Sequence, residues 1–366
     1  MFLLGTTFVE VLEWIGYVLA ALLCLMFIIV VHEFGHYAAG KIFKFKINEF
    51  SIGFGPAIIK HTNKKTGELV AVRCIPLGGY CAFDGEDEEG KSEPNEGSYY
   101  SKPPWQRIIV LLSGALFNFI SSIIVIAVFF MAFGDVLPRV ASVSEVFTDS
   151  EMTVSAQQQF REGDIIYSVD GEKVYSLIDA NAFSSAAADK DELRIVVIRD
   201  GEQVALNITK AYYADENAEG GSSYGFGISY GYTQYKLGFF PAIGHSFEFV
   251  GDVIKLIFTS IGQLFTGDAK VSETLGGTVT AVASLAELTQ FGFYAIMYGV
   301  CVLSASVAIM NILPFPALDG CKVIFTLIEW VRGKPINRKV ENIIHFAGLI
   351  ILLALAVILD LVHFLA

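Results

Sequence analysis

Four long apolar stretches, at about residues 14–40, 107–133, 291–313 and 343–366, constrain this chain more than any other feature of it. Crossing about 30 Å of hydrocarbon takes roughly 20 consecutive apolar residues wound as a helix, and each stretch meets that length. A helix also satisfies its own backbone N–H and C=O groups, which lipid cannot do. The expectation is a polytopic α-helical membrane protein with about four transmembrane helices. Composition agrees, since 54% of the 366 residues are hydrophobic and only 17% charged. A formal charge of −13 argues against nucleic acid as a partner, because phosphates are met by clustered Lys and Arg. The N-terminus has no basic lead-in and no small-residue cleavage site, so the first stretch is expected to stay in the chain. Cys24, Cys74, Cys81, Cys301 and Cys321 are scattered, without C-x-x-C spacing, and suggest neither a disulfide framework nor a cysteine zinc site.

The loops between the spans orient the chain. Lys41, Lys44, Lys46, Lys60, Lys64 and Lys65 crowd the first, and Lys322, Arg332, Lys334, Arg338 and Lys339 the short third. The positive-inside rule places both in the cytoplasm. Residues 1–136 then form an N-terminal membrane part with two spans, and 291–366 a C-terminal part with two more. Between them, 137–212 reads as an extracytoplasmic β-rich domain. "PRVASVSEV" and "GDIIYSVDGEKV" read as strands, "SLIDANAFSSAAADKD" as a helix, and "LRIVVIRDGEQVALNI" as a hairpin closed by Asp200-Gly201. Its "EGDIIYSVDGEKV" resembles a PDZ signature. Residues 213–238, rich in Gly and Tyr, read as a linker. Beyond it Ile243, Phe247, Val250, Ile254, Ile257, Ile261 and Phe265 recur at helical spacing, which predicts an amphipathic helix lying on the membrane.

"HEFGH" carries the chemistry. His32 and His36 are four apart, on one helix face, and can share a zinc ion with Glu33 beside the water that such an ion binds. Roughly 0.005 matches to this pattern are expected by chance in a chain of this composition. Its place at the end of a span strengthens the reading, since ionisable groups in hydrocarbon are costly and functional by default. A catalytic zinc needs a third protein ligand. "NILPFPALDG" ends the third span, where Pro314 and Pro316 break the helix before Asp319. The first and third spans run in the same direction, so Asp319 and the histidines meet on the cytoplasmic side.

Together H-E-x-x-H in the first span, N-x-x-P-x-P-x-L-D-G after the third, and a PDZ-like insertion resemble the site-2 protease family of intramembrane zinc metalloproteases. The bacterial, PDZ-containing regulator-of-sigma-factor type is most similar. "FSIGFGP" at 50–56 and "IPLGGY" at 75–80 are similar to that group's membrane-associated β segment, and "GALFN" at 114–118 to its G-P-x-x-N. Ala115 stands where the family usually has proline, and one PDZ-like domain is visible where some members carry two. The resemblance implies a fold of about four transmembrane helices with a β segment and an inserted PDZ-like domain, in the plasma (inner) membrane. It implies Zn2+ on His32, His36 and Asp319, Glu33 as general base, and Asn311 as a substrate-binding residue. Its implied partners are the lipid bilayer and pre-trimmed single-span membrane proteins, such as anti-sigma factors or remnant signal peptides, cut within their spans. Two other readings remain open at this point: a metal transporter, whose spans would show repeated halves, and a non-catalytic PDZ scaffold, which would have no use for Glu33.

Overall fold

In a computed structural model of the chain, the structure describes residues 8–86, 97–144, 160–174, 183, 190–214, 222–266 and 277–365. The chain divides into two units, Met1–Ala127 with His245–Ala366, and Val128–Gly244.

The first unit contains the apolar helices. Residues Val11–Ile42, Pro104–Ala132, Phe293–Ile312 and Arg338–His363 are long and apolar enough to cross a membrane, close to the four expected stretches. They belong to helices α1 (Phe8–Ile42), α2 (Pro104–Ala132), α5 (Phe293–Ile312) and α7 (Arg338–Leu365). Helices α3 (Phe239–Thr266), α4 (Thr278–Gln290) and α6 (Asp319–Arg332) complete the described set. Two of the spans, α2 and α5, are joined by small or polar side chains rather than by bulk. Between α2 and α5, Ser304 Oγ donates to the Asn118 carbonyl at 3.0 Å and Ser122 Oγ to the Cys301 carbonyl at 3.1 Å. Such hydrogen bonds serve where lipid removes the hydrophobic drive between helices. On α7, Asp360 accepts from the backbone N–H groups of Val279 and Thr280, at 3.1 and 2.9 Å, and from Thr280 Oγ1 at 2.8 Å. A carboxylate within the last span thus caps the positive end of α4.

One charged cluster ties three helix ends. Arg107, at the start of α2 and only 2% exposed, donates to both oxygens of Glu329 on α6, at 2.6 and 3.3 Å. Arg338, at the start of α7, donates to Glu329 at 3.2 Å and to Glu341 at 2.8 Å. Burial alone would raise the Glu329 carboxyl, but the two guanidiniums hold it below its ordinary range.

Between α1 and α2 the chain forms a hairpin of two long, kinked strands, β1 (Ile47–Thr62) and β2 (Leu69–Phe83). Its register makes four segments from two strands. Ile52 pairs with both Val72 and Gly79, while Thr62 pairs with Leu69. The spatial order is therefore 57–62, 69–73, 47–52, 79–83. Gly53 and Gly78, with φ of 86° and 121°, permit the bends that refold each strand beside its partner. Residues 79–83 form one edge of this sheet, with no further strand beside them among the described residues.

The second unit holds an antiparallel sheet in the order β10-β3-β4-β6-β7, with β5 paired to β4. Its strands are β3 (Asp135–Val143), β4 (Ile165–Val169), β5 (Glu172–Lys173), β6 (Glu192–Arg199), β7 (Glu202–Thr209) and β10 (Ile228–Tyr235). The core is apolar, around Val140, Ile166, Leu193, Ile195, Val197 and Ile208. Asp200 and Gly201 close the expected hairpin with φ of 52° and 86°, the paired positive values of a type I′ turn. The helix read at 176–191 lies outside the described residues except at Phe183 and its last two positions. Residues 213–238 are not a plain linker. Strands β8 (Ala211–Ala214) and β9 (Ser222–Gly225) pair with each other, and β10 lies along β3 with Tyr235 opposite Asp135. Alternating Tyr with small residues suits a half-exposed strand, which a composition count mistakes for a loop.

Helix α3 is where expected but turned. Its buried residues include Ala242, His245, Ser246, Phe249, Val250 and Val253, while Phe247, Leu256 and Phe258 are exposed. Of the expected apolar stripe, Phe247 is exposed, Val250 is buried and Ile243, Ile254 and Ile257 are half-buried, so the inward face is shared with the polar His245 and Ser246.

Candidate metal centre and active site

His32, Glu33 and His36 lie in the last third of α1, and Asp319 is the first residue of α6. The fold brings them together across 287 positions of sequence. Asp319 Oδ2 lies 3.0 Å from His32 Nε2 and 3.2 Å from His36 Nε2, and the two Nε2 atoms are 3.2 Å apart. One donor atom from each of the three residues falls within a 4.8 Å cluster.

The donors fit a zinc ion. Two imidazoles and a carboxylate are a set that Zn2+ takes in hydrolytic sites, with a position left for water. His36 Nδ1 donates to the Val110 carbonyl at 2.8 Å, which fixes its tautomer and frees Nε2 as a ligand. Burial opposes ionisation of Asp319, yet the two imidazoles beside it hold it well below the usual carboxylate range. Cys81 lines the same cavity, where burial pushes its thiol up.

Local sequence explains why these groups can meet. Gly35 and Gly114 let α1 and α2 touch at their backbones. A Cβ on Gly35 would sit 2.3 Å from the Ser113 carbonyl oxygen, and one on Gly114 would sit 2.5 Å from His36 Nε2. Pro314 and Pro316 end α5, and the chain turns through Ala317, whose φ is 82°. That turn is held from α7. The Ala317 N–H donates to His345 Nδ1 at 3.1 Å, and Gly348 leaves room for Pro316, which a Cβ there would meet at 2.3 Å. Gly320 lets the start of α6 fold back on the end of α5, its virtual Cβ 2.2 Å from the Ile312 carbonyl oxygen.

The centre opens on a cavity of about 560 Å³, lined by Glu33, Phe54, Gly79, Tyr80, Cys81, Asn311 and Lys322 among others. Every site residue expected from sequence therefore reaches one place. Asn311 donates its amide to the Val307 carbonyl at 3.0 Å, which leaves its second amide proton for another acceptor. Gly79 lies under Glu33, with a virtual Cβ 3.4 Å from Glu33 Cγ, so the sheet edge at 79–83 borders the carboxylate. Lys322 pairs with Glu86 at 2.8 Å, and that carboxylate raises it above the ordinary lysine range.

Three contributors escaped sequence reasoning. His345 reads as a residue without a partner; nothing in its spacing indicates that it pins the turn before Asp319. The Val110 carbonyl is backbone, invisible in side-chain patterns. Asn118 shows in the sequence only as a motif position, yet its amide lies 3.5 Å from His32 Nδ1.

Comparison with known proteins agrees with the geometry. The profile of Peptidase family M50 matches residues 20–355. FN1322 of Fusobacterium nucleatum, named as a candidate zinc metalloprotease, is 33% identical over 342 residues, covering 92% of this chain and 94% of that protein. Atu1380 of Agrobacterium fabrum, named likewise, is 30% identical over 363 residues, covering 93% and 94%. The regulator of sigma-W protease RasP of Bacillus subtilis is 25% identical over 405 residues, covering 89% and 93%. With its candidate metal cluster and its four apolar helices, this chain belongs to Peptidase family M50, the site-2 protease family of zinc metalloproteases.

Proposed function

We propose that the protein is an intramembrane endopeptidase that cuts the transmembrane segments of other membrane proteins. The observation that carries this is the position of the metal cluster: two donors from a span and one from the turn after another, beside a cavity with Glu33 on its wall. His32, His36 and Asp319 would hold the zinc, which when bound acidifies water and polarises a carbonyl. Glu33 accepts a proton at its carboxylate and returns it to the leaving amine. Asn311 presents an amide N–H to the substrate backbone or to the oxygen where charge develops.

A substrate helix hides its carbonyls in i to i−4 hydrogen bonds, so an extended stretch has to form first. The open edge at 79–83 supports such a stretch by strand addition, alongside Glu33. Spans containing Gly, Pro, Ser or Asn are expected to be cut faster than matched poly-Leu spans, in a cleavage assay with purified enzyme and substrate. Equal rates would overturn the unwinding step.

The charge of the loops supports an orientation with 41–107 and 322–339 in the cytoplasm and the PDZ-like region, about 137–212, outside, in the plasma (inner) membrane. Single cysteines at 62–66 are expected to resist a membrane-impermeant reagent while those at 140–235 react; the reverse pattern would sink this topology. Single-span proteins already trimmed outside are the substrate class, and the name of the RasP relative, a regulator of sigma-W, supports anti-sigma factors among them. Remnant signal peptides share that chemistry.

A further inference from the structure

The two histidines of the cluster are held by different kinds of group. His36 gives its Nδ1 proton to the Val110 carbonyl at 2.8 Å, a fixed acceptor that permits one neutral tautomer only. His32 faces the side chain of Asn118, fully buried at 0% exposure, with Nδ2 3.5 Å from His32 Nδ1. An amide can donate through nitrogen or accept through oxygen.

Asn118 Nδ2 lies 3.5 Å from His32 Nδ1, and His32 Nε2 lies 3.0 Å from Asp319 Oδ2. Ligation through Nε2 selects one tautomer of His32. The Nε2 lone pair must be free, so the proton moves to Nδ1, and Nδ1–H then needs an acceptor. Asn118 Oδ1 is buried and has no partner among the described residues. A half-turn of the amide about its Cβ–Cγ bond brings that oxygen to the place the nitrogen now occupies. The backbone of Asn118 does not need to move, since its carbonyl is fixed by Ser122 Oγ and Ser304 Oγ, each at 3.0 Å.

We propose that Asn118 is a positioning residue for the metal, turning its amide to accept the Nδ1 proton of His32 and so holding that imidazole in the tautomer that ligates. This rests on the reading of His32 as a zinc ligand. Partners of ligating histidines commonly change metal affinity by 10–100-fold when removed.

The test measures zinc affinity of the full-length protein in detergent by competition with a chelator, using zinc alone as the probe. Asn118→Leu, which fills the space but offers no acceptor, is expected to bind about 10- to 100-fold more weakly. Asn118→Ala carries the same expectation should the leucine not be accommodated. Asn118→Asp, an acceptor in the same place, is expected to bind at least as tightly as the parent. Wild-type affinity in the leucine or alanine variant, or an aspartate variant as weak as they are, overturns the proposal. His32→Ala separates it from the reading beneath it. If that variant keeps its zinc, His32 is no ligand; if it loses zinc while Asn118→Leu does not, only the role of Asn118 fails.

Discussion

Replacing Glu33 with alanine is expected to lower cleavage by roughly 10²- to 10⁴-fold, the range of general acid–base catalysis, while zinc stays bound. Glu33 borders the cavity but is not one of the three clustered donors, so its loss removes a proton carrier and leaves the ligands intact. Asp319→Ala makes the contrast. Its carboxylate lies within 3.2 Å of both imidazoles, and without it metal and activity are expected to disappear together. Metal analysis of both purified variants, beside a cleavage assay, decides the matter. Full activity in either variant, or zinc retained at wild-type affinity by Asp319→Ala, would sink the assignment.

The second large effect needs no ligand to be touched. Gly114→Ala adds a single methyl, and it would fall 2.5 Å from His36 Nε2 and 2.8 Å from His32 Cε1. Overpacking a tight contact costs about 1–3 kcal/mol, and here the atoms that must yield are on the metal ligands. Zinc affinity is expected to fall by about 10- to 100-fold, equivalent to about 1.4–2.8 kcal/mol, and activity with it. Chelator competition reads the first and a cleavage assay the second. A Gly114→Ala variant with wild-type zinc affinity would show that the helices part without disturbing the imidazoles.

Much of this architecture is written in local patterns, and the parts that are not share a physical reason. Hydropathy marks the spans because most residues of α1 or α7 meet the same apolar surroundings, lipid or protein, so the signal accumulates along the helix. The His32–His36 spacing is equally local. Asp319 is legible through Pro314 and Pro316, which announce a break after the third span. What escapes is the contact made once, across long separations: His345 to the Ala317 N–H, Arg107 to Glu329, Asp360 to the first turn of α4. Each is a single hydrogen-bonded pairing whose partner lies anywhere from 28 to 222 positions away, and no periodicity records it. The orientation of α3 escapes for another reason. An apolar stripe shows which residues share a face, but not that the polar His245 and Ser246 are buried beside Phe249 and Val253.

The glycine contact between α1 and α2 also sets what backs the candidate metal cluster. With Gly35 against the Ser113 carbonyl and Gly114 against the imidazoles, the helices meet as two backbones with nothing between them. At these two positions even one methyl group does not fit. Phe54, the sheet edge at 79–83 and Asn311 instead line the open space in front of Glu33. Two hydrogen atoms in place of two side chains therefore stand the candidate metal cluster against a wall made of backbone.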